Sequence, residues 1–232
     1  MTSPQDIFSR DDQTSLTEAE GKALLTDLGL TVPASRTVED SASAVAAAEE
    51  IGYPVVLKIA SPAVSHKSEW AGGIGVVVGL TTPEDVRTTA TQQLRAANER
   101  GIEANVLVES AVDLDAGIEC IVGGIRDPSF GPVVMVGLGG IFTEVFDDTA
   151  HRLAPIDSTV AEQMIAELDA YALLSGIRGE EPRSIASLVD VIVTVSDLLD
   201  TYPQIAEIDL NPVLVTAEDA IELDALIALS EE

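Results

Sequence analysis

The stretch PVVLKIASPAVSHKSEWAGGIGVVV, residues 54–78, holds the residue types best suited to chemistry. Lys58 lies in a near-continuous apolar run, and His66 follows eight residues later with Lys67 beside it. The chain has three lysines, at positions 22, 58 and 67, against 40 Asp and Glu, so two of the three fall in this stretch. An imidazole titrates near neutrality and can carry a proton or, as a nucleophile, a phosphoryl group. An ammonium in an apolar strand is costly unless it meets an anion. The pairing points to an anionic substrate, with phosphate the leading class. A salt bridge to an acidic neighbour would also explain Lys58, and a solvated loop would explain His66.

The end of the chain offers a metal site. In IAEIDLNP, residues 205–212, strand alternation places Glu207, Asp209 and Asn211 on one face and Ile208 and Leu210 on the other. If TAED is the turn of a hairpin, Val215 pairs with Ala220, and counting back sets Asn211 opposite Asp224. Cross-strand neighbours lie about 5 Å apart at Cβ. A carboxylate and an amide oxygen at that spacing can hold a hard cation such as Mg²⁺, whose other ligands are water and phosphate. An ordinary strand pair with a polar face fits the same pattern. GLGGIFTE, residues 137–144, is neither a Walker loop nor a dinucleotide fingerprint and reads as a tight turn. Arg152 follows it and could neutralise phosphate bidentately or form a surface ion pair; His151 reads as structural.

The elements that must position these residues follow from local signals. Thr17 with Glu20 forms a capping box that opens a helix to about Leu28, closed by Gly29. A second helix is expected from Ser41 to Ile51, with Gly52 past its end. Strands are expected at 54–60 and 72–80, and Thr82-Pro83-Glu84-Asp85 starts a helix to about Arg100. ANVLVESAV, residues 104–112, begins a second unit; AGIECIVGGI and GPVVMVGL form a hairpin around RDPSFG. Helices at about 158–168 and 184–200 precede two C-terminal strands around TAED. The expected organisation is a loose arm over 1–15, one α/β lobe over 16–104 and a second lobe over 105–232.

Composition sets bounds on function. A chain of 232 residues with 46% hydrophobic content can bury a real core. A net charge of −28 disfavours nucleic acid and anionic membranes as partners. The acidity reads as a solvated surface suited to a salty cytoplasm. Cys120 is the single cysteine, so no internal disulfide or zinc cluster can form, and GIECIV places it in a core strand. No apolar run reaches the length of about 18 residues that spans a membrane, so a soluble, cytoplasmic protein is expected.

Taken in order, PVVLKI, SHKSE with its glycine pair, VLVESAV, GIECIVGGIRDPSFGPVVMVGLGGIFTE, HRLAP, AEIDLNPVLV and LDALI are distinctive as a combination. The chain resembles, from about Leu16 to Leu229, the ATP-grasp (β) subunit of ADP-forming acetate–CoA ligases, relatives of succinyl-CoA synthetase. The resemblance implies an α/β (α+β) ATP-grasp fold whose two lobes clamp ATP or ADP. It makes Lys58 a contact to nucleotide phosphates, places Glu109 at the adenine pocket, and makes His66 the phosphorylatable histidine. Asn211 and Asp224 match the Mg²⁺ ligands, and Lys58, with Arg152, would offset phosphate charge. The implied partner is a CoA-binding α subunit, which forms an acyl phosphate from acyl-CoA and phosphate before the phosphoryl group passes through histidines to ADP. No segment resembles the CoA-binding domains, so this chain alone is not expected to complete the reaction. One departure stands out: Trp70 and Ala71 separate Glu69 from Gly72, one residue more than the family pattern. A carboxylate–amine ligase of ATP-grasp type would not need His66. A non-catalytic nucleotide-binding regulatory subunit would not need Lys58, His66, Asn211 and Asp224 intact.

Overall fold

The computed structural model describes residues 14–64, 67–139, 148–177 and 179–230. His66 and most of GLGGIFTE lie outside these residues, as does the expected arm up to position 13. In chain order the elements begin with α1 (Glu18–Asp27), β1 (Ser35–Val38), α2 (Ser41–Ile51), β2 (Val55–Ala60), β3 (Val76–Leu80), α3 (Pro83–Glu99) and β4 (Asn105–Ser110). They continue with β5 (Ile118–Asp127), β6 (Gly131–Leu138), β7 (Thr149–Leu153), α4 (Ser158–Ala166), α5 (Tyr171–Leu174), α6 (Ile185–Thr201), β8 (Ile205–Val215), β9 (Ala220–Glu222) and β10 (Leu226–Leu229).

Side-chain caps start the helices. Thr17 and Glu20 close a reciprocal capping box on α1. Asp40 accepts from the Ala42 and Ser43 amides at the start of α2, and Thr82 caps α3 one residue before Pro83. Each side chain satisfies amides that the first helical turn leaves without partners.

The chain divides into two compact units, one of residues Pro33–Val112 and the other of Met1–Val32 with Asp113–Glu232. This differs from the expected break at residue 104. The cause is β4: it lies inside the first sheet, of order β1-β4-β2-β3, and pairs antiparallel with both β1 and β2. α2 and α3 pack on that sheet, burying Val45, Val55, Leu57, Val86, Val106 and Val108.

In the other unit β10-β8-β5-β6-β7 form a sheet, and β9 joins the same edge of β8 as β10. α6 packs across β5, β6 and β8, burying Val122, Val134, Ile192, Val195, Leu199 and Leu210. α1, expected in the first lobe, packs on β10. Thr14 and Ser15, expected in a loose arm, instead lie along β10: Ser15 bridges to Ala228, and the Leu229 amide donates to the Thr14 carbonyl at 2.8 Å.

Candidate functional site

In the unit Pro33–Val112, β2 buries Val55, Leu57 and Ile59 among the helices, so strand alternation turns Lys58 to the opposite face. Lys58 pairs with Leu107 and Val56 with Glu109, which makes Lys58 and Glu109 diagonal neighbours on adjacent strands. Their charged groups meet at 3.1 Å, with side chains 9% and 4% exposed. The acidic neighbour suspected for Lys58 is therefore Glu109 itself. Two residues read separately from the sequence form one buried ion pair.

Where a strand was expected from Gly72, the chain turns instead, and β3 begins at Val76. Ala71, Gly72 and Gly73 all have positive φ, at 51°, 80° and 92°. For Ala71 that left-handed backbone is strained, because its Cβ crowds the following carbonyl. A Cβ on Gly75 would sit 2.0 Å from the Lys67 carbonyl oxygen, so only glycine fits there. Trp70 is covered by the Arg100 guanidinium, 5.4 Å from the ring centre. The residues after His66 are thus packed into a defined turn.

In the other unit the hairpin forms as counted, with Val215 paired to Ala220 and Val213 to Glu222. The strand expected to continue is broken at 223–225, and β10 resumes with Leu226 opposite Asp209. The register is the same on both sides of the break, so Asn211 and Asp224 hold opposed positions without a ladder bond between them. Asp209 shares Asn211's face and is half-buried. Burial, then the charges of Glu207 and Asp224, push the Asp209 carboxyl above its ordinary range.

This face is the one turned away from α6. Across it, Asp209 pairs with Gly123, Gly123 with Met135, and Met135 with His151. The next row runs Glu207, Ile125, Val133 and Leu153, with Ile125 and Leu153 exposed by 49% and 58%. Asp209 and Asn211 therefore border an apolar shelf. Arg152 is not on it: strand alternation turns Arg152 to the helix-packed side, where it is ion-paired with Glu167. His151, read as structural, faces the shelf side and is exposed.

The donors at this edge fit Mg²⁺. All are hard oxygens, and carboxylates gathered closely enough to disturb one another are relieved by a divalent cation. Among the described residues no three His, Cys, Asp or Glu side chains converge into a complete cage. Mg²⁺ does not require one, because it keeps waters and phosphate oxygens as ligands.

Residues 8–229 match the ATP-grasp domain family. The β subunit of acetate–CoA ligase [ADP-forming] I of Pyrococcus furiosus is 42% identical, over 92% of this chain and 91% of that one. This chain belongs to the ATP-grasp family of ADP-forming CoA ligases. The 4-hydroxybutyrate–CoA ligase [ADP-forming] of Nitrosopumilus maritimus is 40% identical over 90% of this chain, which spans 30% of that longer protein. Among solved structures, the dinucleotide-forming acetyl-coenzyme A synthetase 1 of Ca. Korarchaeum cryptofilum, in complex with coenzyme A and Ca-AMPCP, has a TM-score of 0.91 at 38% identity. That match covers 98% of this chain and 100% of the other. The same synthetase in complex with Mg-AMPPCP, its phosphohistidine segment pointing towards the nucleotide site, has a TM-score of 0.79 at 39% identity over 94% of both chains. The ATP-grasp fold expected from the motifs is the fold of this family. Among the described residues no helix is long and apolar enough to cross a membrane.

Sequence reasoning missed two buried groups. Lys22, 1% exposed, meets Glu18 at 3.0 Å and the Leu223 carbonyl at 2.7 Å. Glu222 is fully buried on β9. The scarcity of lysine was a signal for the first; the second carried none.

Proposed function

We propose that this chain is the nucleotide-binding subunit of an ADP-forming acetate–CoA ligase that works with a CoA-binding partner subunit. The near end-to-end likeness to the Pyrococcus β subunit carries this reading. That this chain spans 30% of the longer 4-hydroxybutyrate–CoA ligase supports a reading in which a partner polypeptide supplies the rest.

Lys58 and Glu109 serve ATP or ADP, Asn211 and Asp224 serve Mg²⁺, and His66 carries the phosphoryl group. Lys58 donates its ammonium hydrogens to phosphate oxygens, while Glu109 keeps that ammonium charged in a buried position. When bound, Mg²⁺ offsets phosphate charge and fixes the oxygens for in-line displacement. Transfer from phosphohistidine to ADP breaks one P–N bond as a terminal oxygen of ADP forms one P–O bond. The imidazole nitrogen keeps the electron pair of the broken bond. Such transfer depends on positioning and charge neutralisation, which these side chains supply.

The test is labelling with γ-labelled ATP and Mg²⁺, with and without the CoA-binding subunit, comparing wild type with His66→Ala. Acid-labile, base-stable label on wild type alone is expected, with nucleotide affinity of the variant within a few-fold. Equal label on both proteins, or none on wild type with ATP bound and the partner present, would overturn the assignment of His66. Acetate and 4-hydroxybutyrate supplied to the reconstituted pair then test the acyl group, with acetate expected to be preferred.

A further inference from the structure

The break between β9 and β10 places Asp224 outside any ladder, so other bonds must hold its backbone. Leu223, just before it, donates its amide to the Pro212 carbonyl at 3.0 Å. Its carbonyl accepts from the Lys22 ammonium at 2.7 Å. On the other side of Asp224, a Cβ built on Gly21 would lie 3.5 Å from the Ala225 Cβ, so α1 and Ala225 are in close contact. Two adjacent residues of one helix therefore hold the chain on both sides of Asp224.

A neutral donor could bond a carbonyl at far smaller desolvation cost than a buried ammonium. Here the ammonium is 1% exposed and is compensated by Glu18, one helical turn earlier. A charge-assisted hydrogen bond is also shorter and stiffer than a neutral one.

We propose that Lys22, oriented by Glu18, is a positioning residue that holds the Leu223 carbonyl and so sets Asp224 opposite Asn211 for Mg²⁺. This deepens the reading of Asp224 as a metal ligand and rests on it. Lys22 is assigned no contact with nucleotide or metal; the bond that carries its role is the one to the Leu223 carbonyl.

ADP binding is titrated against Mg²⁺ for wild type, Asp224→Asn, Lys22→Arg and the double variant Glu18→Leu with Lys22→Met. The double variant replaces the buried ion pair by apolar side chains of similar size, a change that is often neutral for stability. It is expected to need about tenfold more Mg²⁺ for half-maximal binding, the scale of one lost charged hydrogen bond. Its Mg²⁺-free ADP affinity should stay within twofold of wild type, and Lys22→Arg should recover most of the Mg²⁺ dependence. If Asp224→Asn shifts the Mg²⁺ requirement and the folded double variant does not, Lys22 has no positioning role. If Asp224→Asn shifts nothing, the metal reading fails first and this inference falls with it. Should the double variant not fold, Lys22→Gln, with its shorter neutral donor, is titrated instead. Wild-type Mg²⁺ dependence in that variant, or its failure to fold, overturns the inference by showing the pair to be purely structural.

Discussion

At the scale of single residues, two buried groups decide what this chain tolerates. Lys58 and Glu109 are each almost fully desolvated, a cost offset by their mutual attraction. Removing one partner takes away the close counter-charge of the other, so Glu109→Ala should lose about 3–5 kcal/mol in urea unfolding. Lys58→Met with Glu109→Leu should stay within about 2 kcal/mol of wild type yet bind ATP and ADP poorly. A double variant with intact nucleotide binding would remove Lys58 from the site. Glu222 is the second case: among the described residues no other residue donates a hydrogen bond to its carboxylate oxygens. Burial pushes its carboxyl up from 4.5 to about 8; its own backbone amide opposes this, the Asp219 charge adds to it and the Lys22 ammonium opposes it. Between those values the folded chain holds a proton that the unfolded chain has released. Stability from this group is therefore full below 4.5 and is lost as pH rises towards about 8. Glu222→Gln should remove that slope, so that between pH 5 and pH 8 the wild type loses a few kcal/mol that the variant keeps. Parallel pH profiles of thermal unfolding for the two proteins would show that Glu222 is already ionised in the fold.

At the scale of elements, what was legible followed from local chemistry. α2 and α3 start and stop as expected because Asp40, Gly52, Thr82 and Pro83 act within a turn of the residues they cap. The β5–β6 hairpin was legible from its turn, and the register of Asn211 against Asp224 from the loop that fixes the count. β1 and β7 were not, because each is a short strand defined by a distant partner; Ser35 pairs with Glu109. Missing β7 hid the direction of its side chains and left Arg152 open between a phosphate contact and a surface ion pair; its register faces it to Glu167. β3 began late because Gly72, Gly73 and Gly75 look like strand residues in an apolar run. Positive φ at two of them and the Lys67 carbonyl against the third are tertiary facts. The membership of α1 was hidden for a similar reason. As a charged pair one turn apart, Glu18 and Lys22 carry no burial signal in the sequence; both are buried, and Lys22 donates to the Leu223 carbonyl.

For the whole molecule the dominant quantity is charge, 40 acidic residues against 12 basic ones. Several cations are already committed: Arg36 to Glu50, Arg95 to Glu99, Arg152 to Glu167 and Arg183 to Glu180. Most of these pairs have at least one half-exposed partner, and such pairs contribute about 0–1 kcal/mol each. Salt weakens them, but it also screens repulsion among the acids that have no cation. The Debye length falls from about 10 Å at 0.1 M to about 3 Å at 1 M, shorter than the spacing of most surface charges. With a net charge of −28, relief of repulsion should outweigh the lost pairs. The thermal midpoint should therefore rise steadily between 0.1 M and 2 M KCl, most steeply at the low end where screening changes fastest. Sucrose, which stabilises by exclusion from the surface and screens nothing, separates the two causes. A midpoint that responds to sucrose and is flat in KCl would show that the fold does not feel its own charge.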